Sequence, residues 1–88
     1  MSNFFTEKNT ALNMAIFWSG GLRENLKKED NELPIKQFNS LIGNAEVYSI
    51  PNSNGETARF GIVKEPRGWT VWFIGDNGVT IRAWYIIV

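Results

Sequence analysis

Apolar residues recur at helical intervals along the first half of the chain and alternate with polar residues along the second half. Thr10 is placed to cap a helix through Ala11, Leu12, Met14, Ala15, Ile16, Phe17 and Trp18. Ala11, Ala15, Trp18, Leu22 and Leu26 then share one stripe at spacings of three and four. Ser19, Gly20 and Gly21 interrupt the pattern, because each glycine costs about 1 kcal/mol in a helix interior. The reading is therefore a break, or a close approach of helix to sheet, followed by a second helical stretch from Leu22 to Lys28 whose terminal lysines suit the negative end of the helix dipole. Pro34 fits the first turn of a short helix, from Ile35 to Leu41 or Ile42, with Ile35, Phe38, Leu41 and Ile42 on one face and Gly43-Asn44 as its stop.

From Ala45 the period becomes two. Strands are expected at Glu46–Ile50, Thr57–Lys64, Trp69–Gly75 and Val79–Val88, separated by Pro51-Asn52-Ser53-Asn54-Gly55, Glu65-Pro66-Arg67-Gly68 and Asp76-Asn77-Gly78. Such short connections make neighbouring strands antiparallel. The predicted fold is α+β, one domain over residues 1–88, with N-terminal helices (1–44) packed on a four-stranded antiparallel meander (45–88). With 88 residues, 43% of them apolar and 20% charged, the chain suits one small globular domain.

Register decides which side chains share a face. A three-residue Asp76-Asn77-Gly78 loop, with Gly78 in the left-handed region, pairs Gly75 with Val79. Trp69, Val71, Phe73, Val79, Ile81, Ala83 and Tyr85 then form a core face with Ala58, Phe60 and Ile62. The opposite face carries Thr70, Trp72, Ile74, Thr80, Arg82, Trp84 and Ile86, with Thr57, Arg59, Gly61 and Val63. A two-residue Asn77-Gly78 turn would mix these sets and bring Arg59 and Arg82 to the core side. The second face is too apolar for plain solvent. Either a helix covers each face and the arginines snorkel at the margin, or the face is open and Trp72, Trp84, Arg59, Arg82, Ile74 and Ile86 form a protein-binding surface of the residue types that dominate hot spots. The same surface suits a homodimer.

The chemistry the chain lacks narrows its function. It has no histidine and no cysteine, which removes imidazole and thiolate ligands, the thiol nucleophile and the side chain that titrates near neutrality. The only acidic run, Glu29, Asp30 and Glu32, reads as a solvated turn rather than a cation site, and no glycine-rich phosphate loop occurs. No metal, no cofactor and no catalysis are expected. Nine basic and nine acidic side chains give zero net charge, so bulk charge selects neither nucleic acid nor membrane. An open sheet with Trp and Arg is also how single-stranded RNA or DNA is stacked, but Lys64, Arg59, Arg67 and Arg82 are balanced by Glu46, Glu56, Glu65 and Asp76. Nucleic acid is therefore the second reading. Glu7 and Lys8 near the N-terminus and the lack of an apolar stretch there point away from export, no run reaches membrane-spanning length, and a cysteine-free chain fits the reducing cytoplasm. Ten asparagines in a small domain without catalytic groups resemble phage or mobile-element accessory proteins. That resemblance implies an inhibitor or accessory factor that occludes a larger protein.

Overall fold

The computed structural model describes residues 4–83. They form one helix, α1 (Lys8–Ser19), a single 3-10 turn (Arg23–Asn25) and five strands: β1 (Lys27–Gln37), β2 (Ser40–Pro51), β3 (Thr57–Glu65), β4 (Gly68–Ile74) and β5 (Thr80–Arg82). The strands make an antiparallel meander in the order β1-β2-β3-β4-β5. The α+β class stands, but the sheet has five strands where four were expected, and there is one α-helix among the described residues.

The helix buries Ala11, Leu12, Ala15 and Ile16. Glu7, not Thr10, is its N-cap. Its end falls at the glycine pair, and both expected uses of that pair are realised. Gly20 closes the helix in the left-handed region (φ 78°) with its N–H on the Phe17 carbonyl at 3.3 Å. Gly21 runs against the sheet, where a Cβ would sit 2.6 Å from Ile50 Cγ1 and 2.7 Å from the Pro51 carbonyl oxygen.

The two further helices do not form. Leu22–Lys28 is too short to repay helix nucleation without a buried face, and it becomes the 3-10 turn and the start of β1. The segment after Pro34 belongs to a β1–β2 hairpin. Pro34 disfavours the helical region for Leu33, and β1 is the edge strand of the sheet, where a missing N–H is tolerated. Gly43 and Asn44 lie inside β2, opposite Ile35 and Pro34.

In the second half the expected register is found, but Val79 and Ile81, expected on the core face, are exposed. Ile74 pairs with Thr80, Phe73 with Ile81 and Trp72 with Arg82, while the Gly75 N–H donates to the Val79 carbonyl at 2.8 Å and Gly78 has φ 82°. Phe60 faces Phe73 and Ile62 faces Val71. The β4 edge is shared end to end: Ala83 donates to Val71 at 2.8 Å, and Phe5 exchanges two hydrogen bonds with Trp69 at 2.9 and 2.7 Å.

Two apolar clusters flank the sheet. Under α1, Phe5, Leu12, Ile16, Tyr48, Ile50, Phe60, Ile62 and Val71 pack together, with Tyr48 and Phe60 stacked at 5.6 Å. The opposite face has no helix among the described residues. Its cluster is Ile35, Ala45, Val63 and Trp72, with Leu33 and Ile42 against it. The cover comes from the hairpin. β2 pairs with β3 only from Glu46 onward, so its earlier residues pair with β1 alone as a two-stranded ribbon. That ribbon supplies Leu33, Ile35, Ile42 and Ala45, and it folds back over Val63 and Trp72. Two irregularities help it bend. Between Lys28 and Glu32, β1 has two more residues than the facing stretch of β2, and near Ile35 β2 has one extra. Gly61 completes the fold-back by leaving room for Ala45.

Candidate interaction site

The register brings Arg59, Trp72, Ile74 and Arg82 to one face, as the alternation implies. Trp84 and Ile86 lie outside the described residues. Trp72 and Ile74 are covered, at 2% and 8% exposure. Trp72 donates from Nε1 to Thr70 Oγ1 at 3.0 Å, Thr70 donates to Glu65, and Arg82 reaches the same Glu65 carboxylate at 3.4 Å. Glu65 and Arg82 side chains are themselves only 11% and 13% exposed. The Arg82 guanidinium lies 5.6 Å from the Trp72 ring and 4.7 Å from Phe4, and Arg67 approaches Phe4 at 4.6 Å. The Thr70 hydroxyl thus satisfies the one polar atom of the buried indole.

Arg59 has a different fate. Its Nε and NH2 groups each donate to Glu29 at 2.8 Å, a two-pronged bond across the edge of the sheet. The hydrogen bond to Arg59 holds the Glu29 carboxyl below its ordinary range, and Glu29 in turn raises Arg59. Glu29, part of the acidic run, is thus an ion-pair partner. Among the described residues no group of three or more acidic side chains is placed to hold a metal ion.

On the helix face, Glu46 lies between Lys8 and Lys28, the latter at 3.3 Å. The bond to Lys8 is the main cause that lowers the Glu46 carboxyl and raises the Lys8 ammonium. Since Glu29 and Glu46 are more acidic folded than unfolded, the unfolded chain binds protons more readily near their ordinary value of 4.5. Their contribution is therefore complete above that pH and is lost as pH falls through the lower folded values. These pairs are partly solvated, so the expected loss is about 1 kcal/mol in all, smaller at high salt. Urea unfolding at neutral pH and near pH 3, at two salt concentrations, checks both size and sign.

Comparison with protein-family models, curated proteins and solved structures finds no match.

A shallow cleft of about 310 Å³ lies beside the helix end, lined by Gly20, Gly21, Leu22, Asn25, Pro51, Asn52 and Ser53. None of these side chains ionises, so the cleft offers no general acid or base. Of the exposed large apolar side chains, Leu22 lines this cleft and Phe17 lies on the helix, while the others fall at two places along the sheet. Phe38 (91% exposed) and Leu41 (61%) flank the hairpin tip, and Val79 and Ile81 lie two apart at β5. At the tip Gln37 pairs with Ser40, leaving Phe38 (φ 52°) and Asn39 (φ 66°) as a two-residue loop with both centres left-handed. Such loops favour Asn, Asp and Gly, and a left-handed conformation costs an ordinary L-residue about 1–2 kcal/mol.

The apolar pattern alone does not reveal the tip, because Ile35, Phe38 and Leu41 also fit a helical face. Two signals favoured the hairpin: the extended bias that Pro34 places on Leu33, and the turn-forming Asn39-Ser40 pair.

Proposed function

We propose that the protein is a non-enzymatic protein-binding module of the cytoplasm, an inhibitor or accessory factor that occludes a larger partner. The observation that carries this reading is the display of large apolar side chains at the hairpin tip and at β5, while Arg59 and Arg82 are tied in intramolecular pairs with Glu29 and Glu65. Scattered apolar residues are ordinary on a surface, but adjacent ones mark contact sites. Because Trp72 and Ile74 are covered, contact passes from the Trp/Arg face to these projecting groups. Single-stranded nucleic acid has less support, since a Trp72 ring at 2% exposure offers no platform for a base. No helix among the described residues is long and apolar enough to cross a membrane.

The test is capture with the immobilised full chain from an extract of the source cells, followed by titration of the purified partner. The expected result is a stoichiometric complex that persists as salt rises and lowers the partner's own activity. Capture of single-stranded RNA or DNA alone, with affinity falling by a logarithmic slope of about −0.7 per phosphate contact, overturns it in favour of the second reading.

A further inference from the structure

We propose that two copies of the chain pair through the outer edge of β5, antiparallel about a two-fold axis at Ala83, so that the segment following Ala83 in each copy lies along β5 of the other. The occupant of the edge is thus a second copy. The pairing goes beyond the protein-binding reading, since it uses β5 and leaves Phe38 and Leu41 at the hairpin tip to a different protein.

The edge is open to pairing. Among the described residues β5 is the last strand of the sheet. Gly75 donates to the Val79 carbonyl and Ala83 to that of Val71, each at 2.8 Å, with Phe73 opposite Ile81 between them. Val79, Ile81 and Ala83 therefore bond inward to β4, and the N–H and C=O groups of Thr80 and Arg82 point outward. From Val79 to Ala83 there is no proline, the pairing with β4 is unbroken, and the one charge, Arg82, is held by Glu65 at 3.4 Å. A strand edge without such guards is a template for another strand. Val79 and Ile81 also leave apolar surface uncovered on one face, at 53% and 65% exposure.

The chain itself carries the matching strand. After Ala83 come Trp84-Tyr85-Ile86-Ile87-Val88, apolar and without a charged side chain. Continued along β4, the register would set Tyr85 opposite Trp69, but Phe5 holds that place: it exchanges hydrogen bonds with Trp69 at 2.9 and 2.7 Å, and its ring is buried. Reversal onto the outer edge of its own β5 would use about two of these residues in the turn.

A second copy meets the segment without a turn. An axis at Ala83 sets Ile81 opposite Tyr85 and Val79 opposite Ile87 on one face, with Arg82 opposite Trp84 and Thr80 opposite Ile86 on the other. The two exposed side chains meet apolar ones, Arg82 meets an aromatic ring, and no like charges face each other. The outward groups of Thr80 and Arg82 fall in the hydrogen-bonded pairs, as an antiparallel ladder requires. An axis at Ile81 would instead carry Trp84 and its successors past the Asp76-Asn77-Gly78 loop of the second copy, where no strand continues. Because the axis exchanges the copies, every match is made twice and the pairing closes at two chains. This self-complementarity selects a second copy over a foreign strand.

The test uses the full chain. Sedimentation equilibrium is expected to show a monomer–dimer equilibrium for the wild type, and Ile81→Lys should associate at least ~10-fold more weakly. Both should melt at the same temperature when dilute, because Ile81 is exposed in the single chain. Since the chain has no cysteine, single cysteines then report the register. Ala83→Cys should form a disulfide-linked dimer readily, because the axis brings the two copies of residue 83 to about 4.5 Å between Cα atoms. Ile81→Cys should cross-link more slowly, although position 81 is exposed and position 83 half-buried. A wild-type chain that stays monomeric up to about 1 mM, equal association by Ile81→Lys, faster cross-linking at 81 than at 83, or assembly beyond a dimer each overturns the proposal. None of these results bears on capture of a different protein, so the two readings fail separately.

Discussion

Gly61→Ala is expected to destabilise the protein by about 2–3 kcal/mol, although the same change at a neutral strand position gains about 0.5–1 kcal/mol. The sign is set by the turn of β2 out of the main sheet. A Cβ on Gly61 would lie 2.7 Å from the Cβ of Ala45, and both atoms are fixed directly to backbone, so no side-chain rotation relieves the overlap. The ribbon must lift, and lifting it uncovers Val63 and Trp72. In a domain of this size each kcal/mol shifts the melting temperature by about 4–8 °C, so the fall should be roughly 8–24 °C. Ala45→Gly in the same chain should return part of the loss. If the double variant is as unstable as the sum of the two single changes, the overlap is not the cause.

Trp72→Ala should cost about 3–5 kcal/mol, a large part of the roughly 5–15 kcal/mol that holds a small domain together. The indole fills the centre of the ribbon-covered cluster, and its N–H donates to Thr70, which in turn donates to Glu65 beside Arg82. Truncation leaves a cavity and wets a nearly covered ion pair. Trp72→Phe keeps most of the packing but removes the donor and part of the ring, so it should cost about 1–2 kcal/mol. Chemical denaturation of the three proteins, read by far-UV circular dichroism, checks this order. Comparable losses for Trp72→Phe and Trp72→Ala would assign the effect to the hydrogen bond; negligible loss for both would mean the ring is not packed as described.

The C-terminal half was readable because its signals agree with one another. Gly78 requires a left-handed loop position, the loop sets the Phe73–Ile81 pairing, and that pairing keeps Arg82 off the helix side. The same alternation placed Arg59, Trp72, Ile74 and Arg82 together. It did not show that Trp72 would be covered, because the cover is a non-local event. Leu33, Ile35, Ile42 and Ala45 meet Trp72 only after the ribbon has bent away from β3, and no window of sequence contains both sides of that contact. Between Leu33 and Ile42 the apolar spacing fits a helical turn and a hairpin equally well, so local pattern did not choose. The glycine pair after the helix was legible on both counts, as a stop and as a close approach.

Displaying an aromatic tip on a long outer hairpin carries a hazard, since an open strand edge can recruit further strands and grow into aggregates. The outward edge of β1 is poorly suited to that growth. Its exposed positions carry Lys27, Lys28, Asp30, Glu32 and Lys36, Pro34 withholds a donor, and the two-residue irregularity after Lys28 breaks the straight line a neighbouring strand would follow. Stacking a second β1 alongside would leave hydrogen bonds unmade and bring charges of the same sign together in several registers. The hairpin can therefore expose its end while its flank resists growth by strand pairing.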